Sequence, residues 1–147
     1  SYMMDSNILD LFAGTGSLGI ECLSRGANKC VFVDKSKESI NIVKSNIKKA
    51  RVENESTVLN LDFKNAIDRL KIQNKKFDII FMDPPYYKNM FIDALSSIDE
   101  ADLLCDDGII VVEHDTKDKF VDKIGRLEKT RDKKYGNTTL TFYKLEE

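Results

Sequence analysis

The chain has 147 residues, 41% of them hydrophobic and 33% charged, with a formal net charge of −2. That size fits one domain with one sizeable core, and no apolar run approaches the ~20 residues needed to cross a bilayer. A slightly acidic balance gives no global attraction to nucleic acid, so any such contact has to be a local patch.

Short runs rich in Ile, Val and Phe alternate with longer amphipathic stretches up to about residue 115, the pattern of βα units around a parallel sheet. The expected strands and helices come in order: strand 7–13, helix 17–25, strand 29–34, helix 36–50, strand 56–62, helix 63–72 and strand 77–83. A helix over 89–104, broken near Asp99, and a strand over 108–113 follow. In the second helix Ser36 is a weak cap and Ile40, Val43 and Ile47 share the face that packs on the sheet. Beyond residue 123 two alternating runs flank Tyr135-Gly136-Asn137 and predict a terminal β-hairpin. The expected fold is therefore α/β, a Rossmann-like doubly wound sheet of seven strands, mostly parallel and closed by an antiparallel hairpin. With no repeat, low-complexity segment or linker, residues 1–147 read as a single domain.

Cys22, Cys30 and Cys105 form no CxxC pair and leave one unmatched, which argues against a disulfide framework or zinc knuckle. Ser1 opens no signal-peptide pattern, so reduced thiols and a cytoplasmic, non-membrane protein are expected. Two basic clusters stand out: Lys44, Lys48, Lys49 and Arg51, then Arg126, Lys129, Arg131, Lys133 and Lys134. Charge runs of this kind are most often solvated faces, and the second cluster also reads as a phosphate track.

Ligands of open α/β sheets bind beyond the carboxyl ends of the strands. The first strand ends in "LDLFAGTGSLG", with Asp10 near its end, Phe12 and Ala13 in the loop, and Gly14, Gly16 and Gly19 spaced as GxGxxG. Glycines allow a tight turn and close backbone approach, and the following helix start offers free N–H groups. Asp34, next to Lys35, ends the second strand and is placed to accept from a ribose diol. The glycine pattern alone suits a nicotinamide dinucleotide as well, and Gly19 can serve simply to let a helix pack closely. Asp62 ends the third strand where an adenine amine would lie, with Phe63 or Ile40 against the ring; the same acid is equally suited to cap the next helix.

The fourth strand delivers Asp83-Pro84-Pro85-Tyr86, which two prolines make neither helix nor continuing strand. A planar exocyclic amine attacks a methyl group only when acceptors hold its hydrogens and localise its lone pair. The Asp83 carboxylate and the Pro84 carbonyl are two such acceptors, Pro85 stiffens the loop, and Tyr86 offers a face on which a base stacks. An electrophilic methyl beside an adenosine implies S-adenosylmethionine, with positioning carrying most of the catalysis and neither metal nor covalent nucleophile required.

"LDLFAGTGSLGIECLSRGA", "FVD" and "FDIIFMDPPYY" together resemble the class I S-adenosylmethionine-dependent methyltransferases, and more closely the RsmD family of 16S ribosomal RNA guanine-N2 methyltransferases. The closing "KKYGNTTLTFYK" is similar to that family's last hairpin. The resemblance implies the guanine target and ribosomal RNA or the small-subunit particle as partner; a monomer is expected. It assigns Asp10, Gly14 and Gly16 to the donor loop, Asp34 to the ribose, Asp62 to the adenine amine, and Asp83, Pro84, Pro85 and Tyr86 to the target amine. Family members carry a basic N-terminal stretch before the first strand, so an RNA-binding extension is expected to be missing here.

Three alternatives stay open on the sequence: a DNA adenine-N6 or cytosine-N4 amine methyltransferase, a nicotinamide-dependent oxidoreductase, and a non-catalytic RNA-binding adaptor. The oxidoreductase lacks an evident acid and base, since the lone histidine, His114, reads as a surface or rim residue. A DNA enzyme needs a target-recognition domain for which this length leaves no room.

Overall fold

The computed structural model describes residues 4–83, 88–118 and 120–147. Strands β1 (Asn7–Asp10), β2 (Lys29–Val33), β3 (Ser56–Leu59) and β4 (Phe77–Met82) alternate with helices α1 (Ser17–Ser24), α2 (Lys37–Ala50) and α3 (Phe63–Ile72). Helix α4 (Lys88–Glu100) leads into β5 (Leu104–Asp115), and the chain closes with β6 (Lys123–Ile124), β7 (Leu127–Tyr135) and β8 (Thr138–Leu145). One sheet contains all eight strands in the order β3-β2-β1-β4-β5-β8-β7-β6. The first five are parallel and the last three antiparallel.

The sheet has eight strands where seven are expected from sequence. The additional one is the two-residue β6, too short for any periodicity, paired to β7 through Lys123 with Glu128 and Ile124 with Leu127. The helix expected over 89–104 ends earlier: Asp102 takes a positive φ of 53° and Leu104 already pairs with Phe77 in the sheet. Strand β5 is twelve residues long because the ladder resumes after a register irregularity opposite Phe77 and Ile79, so Asp106-Asp107-Gly108 interrupts the apolar pattern without ending the strand.

Helices cover both faces. Ile8, Cys22, Cys30, Phe32, Val43, Ile47 and Ile79 form the core between the sheet and α1 and α2. Leu9, Val31, Ile67, Leu70, Ile80, Phe91, Leu95 and Ile110 belong to the larger core on the α3 and α4 side. Period-two alternation divides each strand between these two cores, which is why the strands read as continuous apolar runs. Ser36 caps α2, its Oγ accepting from Ser39 N at 3.2 Å. The predicted hairpin forms with Gly136 at φ 59° in the turn between β7 and β8. Among the described residues no helix is long and apolar enough to cross a membrane.

Candidate active site

Strand order reverses between β1 and β4, since β2 and β3 lie to one side of β1 and β4 and β5 to the other. That switch point leaves a crevice beyond the carboxyl ends. It holds a cleft of about 1010 Å³ lined by residues from both halves, among them Asp10, Gly14, Asp34, Asp62, Asp83 and Glu113. The ends are tied by backbone bonds beyond the strands: Leu11 N donates to Phe81 O at 3.1 Å, Ala13 N to Val33 O at 2.8 Å and Asp34 N to Leu59 O at 3.2 Å.

Four carboxylates arise from one alternation. Asp10 follows Ile8, Asp34 follows Phe32, Asp83 follows Phe81 and Glu113 follows Val111, each two residues on and therefore on the α1 and α2 side of the sheet. Asp10 is only 4% exposed. A backbone N–H at Gly19 donates to its carboxyl, while Oδ2 has no hydrogen-bond partner. Burial, and after it the charges of Asp83 and Asp34, push the Asp10 carboxyl up to about 7. An orphaned buried acceptor in a cleft fits a cationic ligand group.

Asp34 accepts from Gly14 N and from Ser36 N, both at 2.9 Å. The acid after β2 therefore fixes the glycine loop directly. Asn60 Nδ2 donates to the carbonyls of Asp34 and Lys35, at 3.1 Å each, and steadies the β2 loop from the side of β3. Gly14 has φ 60°, and a Cβ there would meet nothing within 4 Å, so its open side faces the cleft. Phe12, Ala13, Lys35 and Phe63 also line the cleft, and the rings of Phe12 and Phe63 lie 5.8 Å apart.

Gly16 behaves differently from Gly14. It sits at φ 79° as the α1 N-cap, buried against Val43 and Phe32, and does not line the cleft. Gly19 is likewise a packing residue: a Cβ would run into the Phe32 ring and the Cys30 Sγ. Asp62 lines the cleft and also caps α3, accepting from Asn65 N at 2.9 Å and Asn65 Nδ2 at 3.1 Å. The capping reading of this acid is thus observed, and the same side chain also borders the cleft.

Asp83 stands directly after β4. Burial first, then a hydrogen bond to Glu113 and its charge, raise the Asp83 carboxyl to about 6. Pro84, Pro85, Tyr86 and Tyr87 lie outside the described residues, as does the side chain of Lys88. Sequence reasoning missed Glu113, although it ends β5's apolar run as Asp34, Asp62 and Asp83 end theirs; the strand-end rule applied once more identifies it. Leu140 of β8 and Met90 of α4 complete that end of the cleft.

His114 is not a rim residue. It is 9% exposed on the opposite face of β5, with Nε2 at 2.6 Å from Thr141 Oγ1, Nδ1 at 2.8 Å from Asp115 O, and the Phe120 ring 4.1 Å away. Because β5 runs on to Asp115, His114 falls inside the strand and alternation turns it away from the cleft.

A family model described as "Conserved hypothetical protein 95" matches residues 1–144. The chain belongs to that family. It is thereby an RsmD-like class I methyltransferase. The Bacillus subtilis protein YlbH, which its name provisionally calls an rRNA methyltransferase, is 41% identical over 92% of this chain and 74% of its own length. "Ribosomal RNA small subunit methyltransferase D" of Haemophilus influenzae is 39% identical over 80% of this chain and 61% of its own length. A solved Streptococcus pyogenes structure, described as a conserved hypothetical protein, is 34% identical with a TM-score of 0.87, covering 97% of this chain and 86% of that one. In this RsmD-like chain the acids at the ends of β1, β2, β4 and β5 line one cleft.

Proposed function

We propose that this chain transfers the methyl group of S-adenosylmethionine to the exocyclic N2 amine of a guanine in small-subunit ribosomal RNA. The observation that carries the reading is Asp83 at the rim of the glycine-loop cleft, facing the orphaned Asp10 carboxyl across the switch point. The name of the Haemophilus relative supports the small-subunit RNA as substrate. The enzyme acts as a cytoplasmic monomer, without a metal, on the RNA or on the particle that contains it.

The residues present fit the donor. Asp10 Oδ2 accepts from its ammonium group, Asp34 has lone pairs left for the ribose hydroxyls, and Gly14 lets the backbone approach closely. Phe12, Ala13, Lys35 and Phe63 enclose the adenosine, and Asp62 accepts from the adenine amine with the lone pairs its cap leaves over. When bound, the donor supplies a sulfonium methyl that leaves behind a neutral thioether.

On the acceptor side, Asp83 and the Pro84 carbonyl hold the two amine hydrogens so that the nitrogen lone pair points at the methyl, and Tyr86 supports the base. With the donor bound there, its methyl carbon would pass from sulfur to the amine nitrogen, the sulfur keeping the electron pair of the broken bond. One amine proton then passes to Asp83 and on to solvent. Held at near-attack distance, roughly 3 to 3.5 Å, the reactants need little further assistance.

Asp83→Ala tests this division of roles. With small-subunit particles lacking the modification as substrate, methyl transfer should fall by at least about 100-fold. Calorimetric S-adenosylhomocysteine affinity should not fall, since the donor contacts stay in place and loss of the Asp83 charge only eases ionisation of Asp10. Equal loss of binding and transfer would overturn the assignment, and binding of NADH in place of the homocysteine ligand would overturn the methyltransferase chemistry.

A further inference from the structure

We propose that Glu113 is a second base-reading carboxylate, which accepts from the ring N1–H beside the target amine and makes the site select guanine. The inference rests on the guanine-amine reading above and supplies its physical basis.

The pairing of Met82 with Val112 places Asp83 and Glu113 one step further along adjacent parallel strands. Their side chains share a face, line the same cleft and are hydrogen-bonded to one another. Neighbouring strands stand ~4.8 Å apart, within the span of one base edge. Leu140, paired with Glu113 from the other side, closes the row with an apolar side chain.

Asp83 and Glu113 in contact share a proton, and once both are ionised they repel unless donors separate them. The bases differ in what they bring. In adenine and cytosine no ring N–H flanks the exocyclic amine, the neighbouring ring nitrogen being an acceptor, whereas the guanine amine has N1–H, a donor, on one flank and the acceptor N3 on the other. An edge of consecutive donors satisfies Asp83 and Glu113 together. An adenine or cytosine amine held by Asp83 would turn a lone pair toward Glu113, leaving a desolvated carboxylate against an acceptor, a negative selection stronger than any lost contact. Uracil has the ring N–H but no amine to methylate.

Glu113→Gln separates base reading from folding, because the amide is nearly isosteric and can donate as well as accept. The substrates are synthetic RNA hairpins carrying guanine, 2-aminopurine or adenine at the position methylated in small-subunit RNA. 2-Aminopurine keeps the N2 amine but has an accepting N1. Wild-type enzyme should favour guanine over 2-aminopurine by at least about tenfold in kcat/KM, and in Glu113→Gln that ratio should collapse toward one while S-adenosylhomocysteine affinity is retained. A variant that keeps the wild-type ratio, slow or fast, would overturn the role of Glu113 and leave the guanine reading standing. Wild-type enzyme that methylates adenine faster than guanine would overturn the guanine reading itself.

Discussion

The carboxyl of Asp10 is buried with one oxygen unpartnered, so its ionisation opposes folding. Its pKa rises from 3.8 to about 7, which means the unfolded chain loses this proton at lower pH than the folded one. Stability is therefore highest below about pH 4, declines as pH climbs to about 7 and is level above that, as far as this group is concerned. Asp10→Asn should stabilise the protein at pH 8, by on the order of 4 kcal/mol at most, and should leave it little changed at pH 4, in urea melts. The same substitution should weaken S-adenosylhomocysteine binding by about tenfold or more. In wild type, pairing with the ligand ammonium favours the carboxylate, so affinity should strengthen from pH 6 to pH 8; Asp34 and Asp83 face the same cleft and both push the Asp10 carboxyl upward, as burial does. Flat affinity across that range would refute the pairing. Gly19 makes a different residue-scale case: α1 lies so close to β2 that an added methyl must displace the buried Phe32 ring and Cys30. Gly19→Ala should cost about 1–3 kcal/mol in the same melts, without any ligand being involved.

At the scale of elements, the C-terminal hairpin divides the basic cluster that the sequence presents as one. Arg126 is held by Asp99 and Asp102 at the end of α4, and Lys129 by Asp122 and Asp132. Arg131 and Lys133 remain on the face that carries Val111, Glu113, Phe142 and Leu140, Arg131 lying 4.7 Å over the Phe142 ring and Lys133 5.3 Å over that of Tyr135. Cations over aromatic faces beside the cleft suit a single strand of RNA. Reversing both, Arg131→Glu with Lys133→Glu, should weaken RNA binding by at least about tenfold and reduce the salt dependence by about one ion per lost contact, with donor affinity unchanged. RNA binding that ignores the double reversal would return these residues to the solvated surface. How far the elements were legible follows from their periodicity. Helices α1 to α3 and the first four strands stand within a few residues of their expected bounds because each carries its own apolar stripe. The start of β5 was hidden by the acids at 106 and 107, and β6 has no pattern to read.

At the scale of the whole molecule, the sequence places acids at strand ends but says nothing of which strands are neighbours. The order β3-β2-β1-β4-β5 is set by crossovers, and its run β1-β4-β5 puts Asp83 on the strand between those that carry Asp10 and Glu113. That the glycine loop and Asp34 meet in the cleft was legible because glycines and an acid recur at fixed spacing along one stretch of chain. The other end of the cleft was marked in the sequence only by Asp83 and the prolines after it. Its partner Glu113 comes from thirty residues downstream, and its relevance depends on a lateral pairing that no local pattern encodes.

The long β5 strand gives the molecule a ruler. One edge of it is hydrogen-bonded to β4 and the other to β8, so Glu113, Leu140 and Lys133 form a single cross-strand row. Two strand spacings separate the first from the last, ~10 Å, a length fixed by backbone hydrogen bonds and indifferent to loop motion. A nucleotide whose base edge reached Glu113 would have its own or its neighbour's phosphate measured off against Lys133. Substrates would then be sorted by how far a base stands out from its backbone, with stacked bases failing the gauge before any chemistry begins.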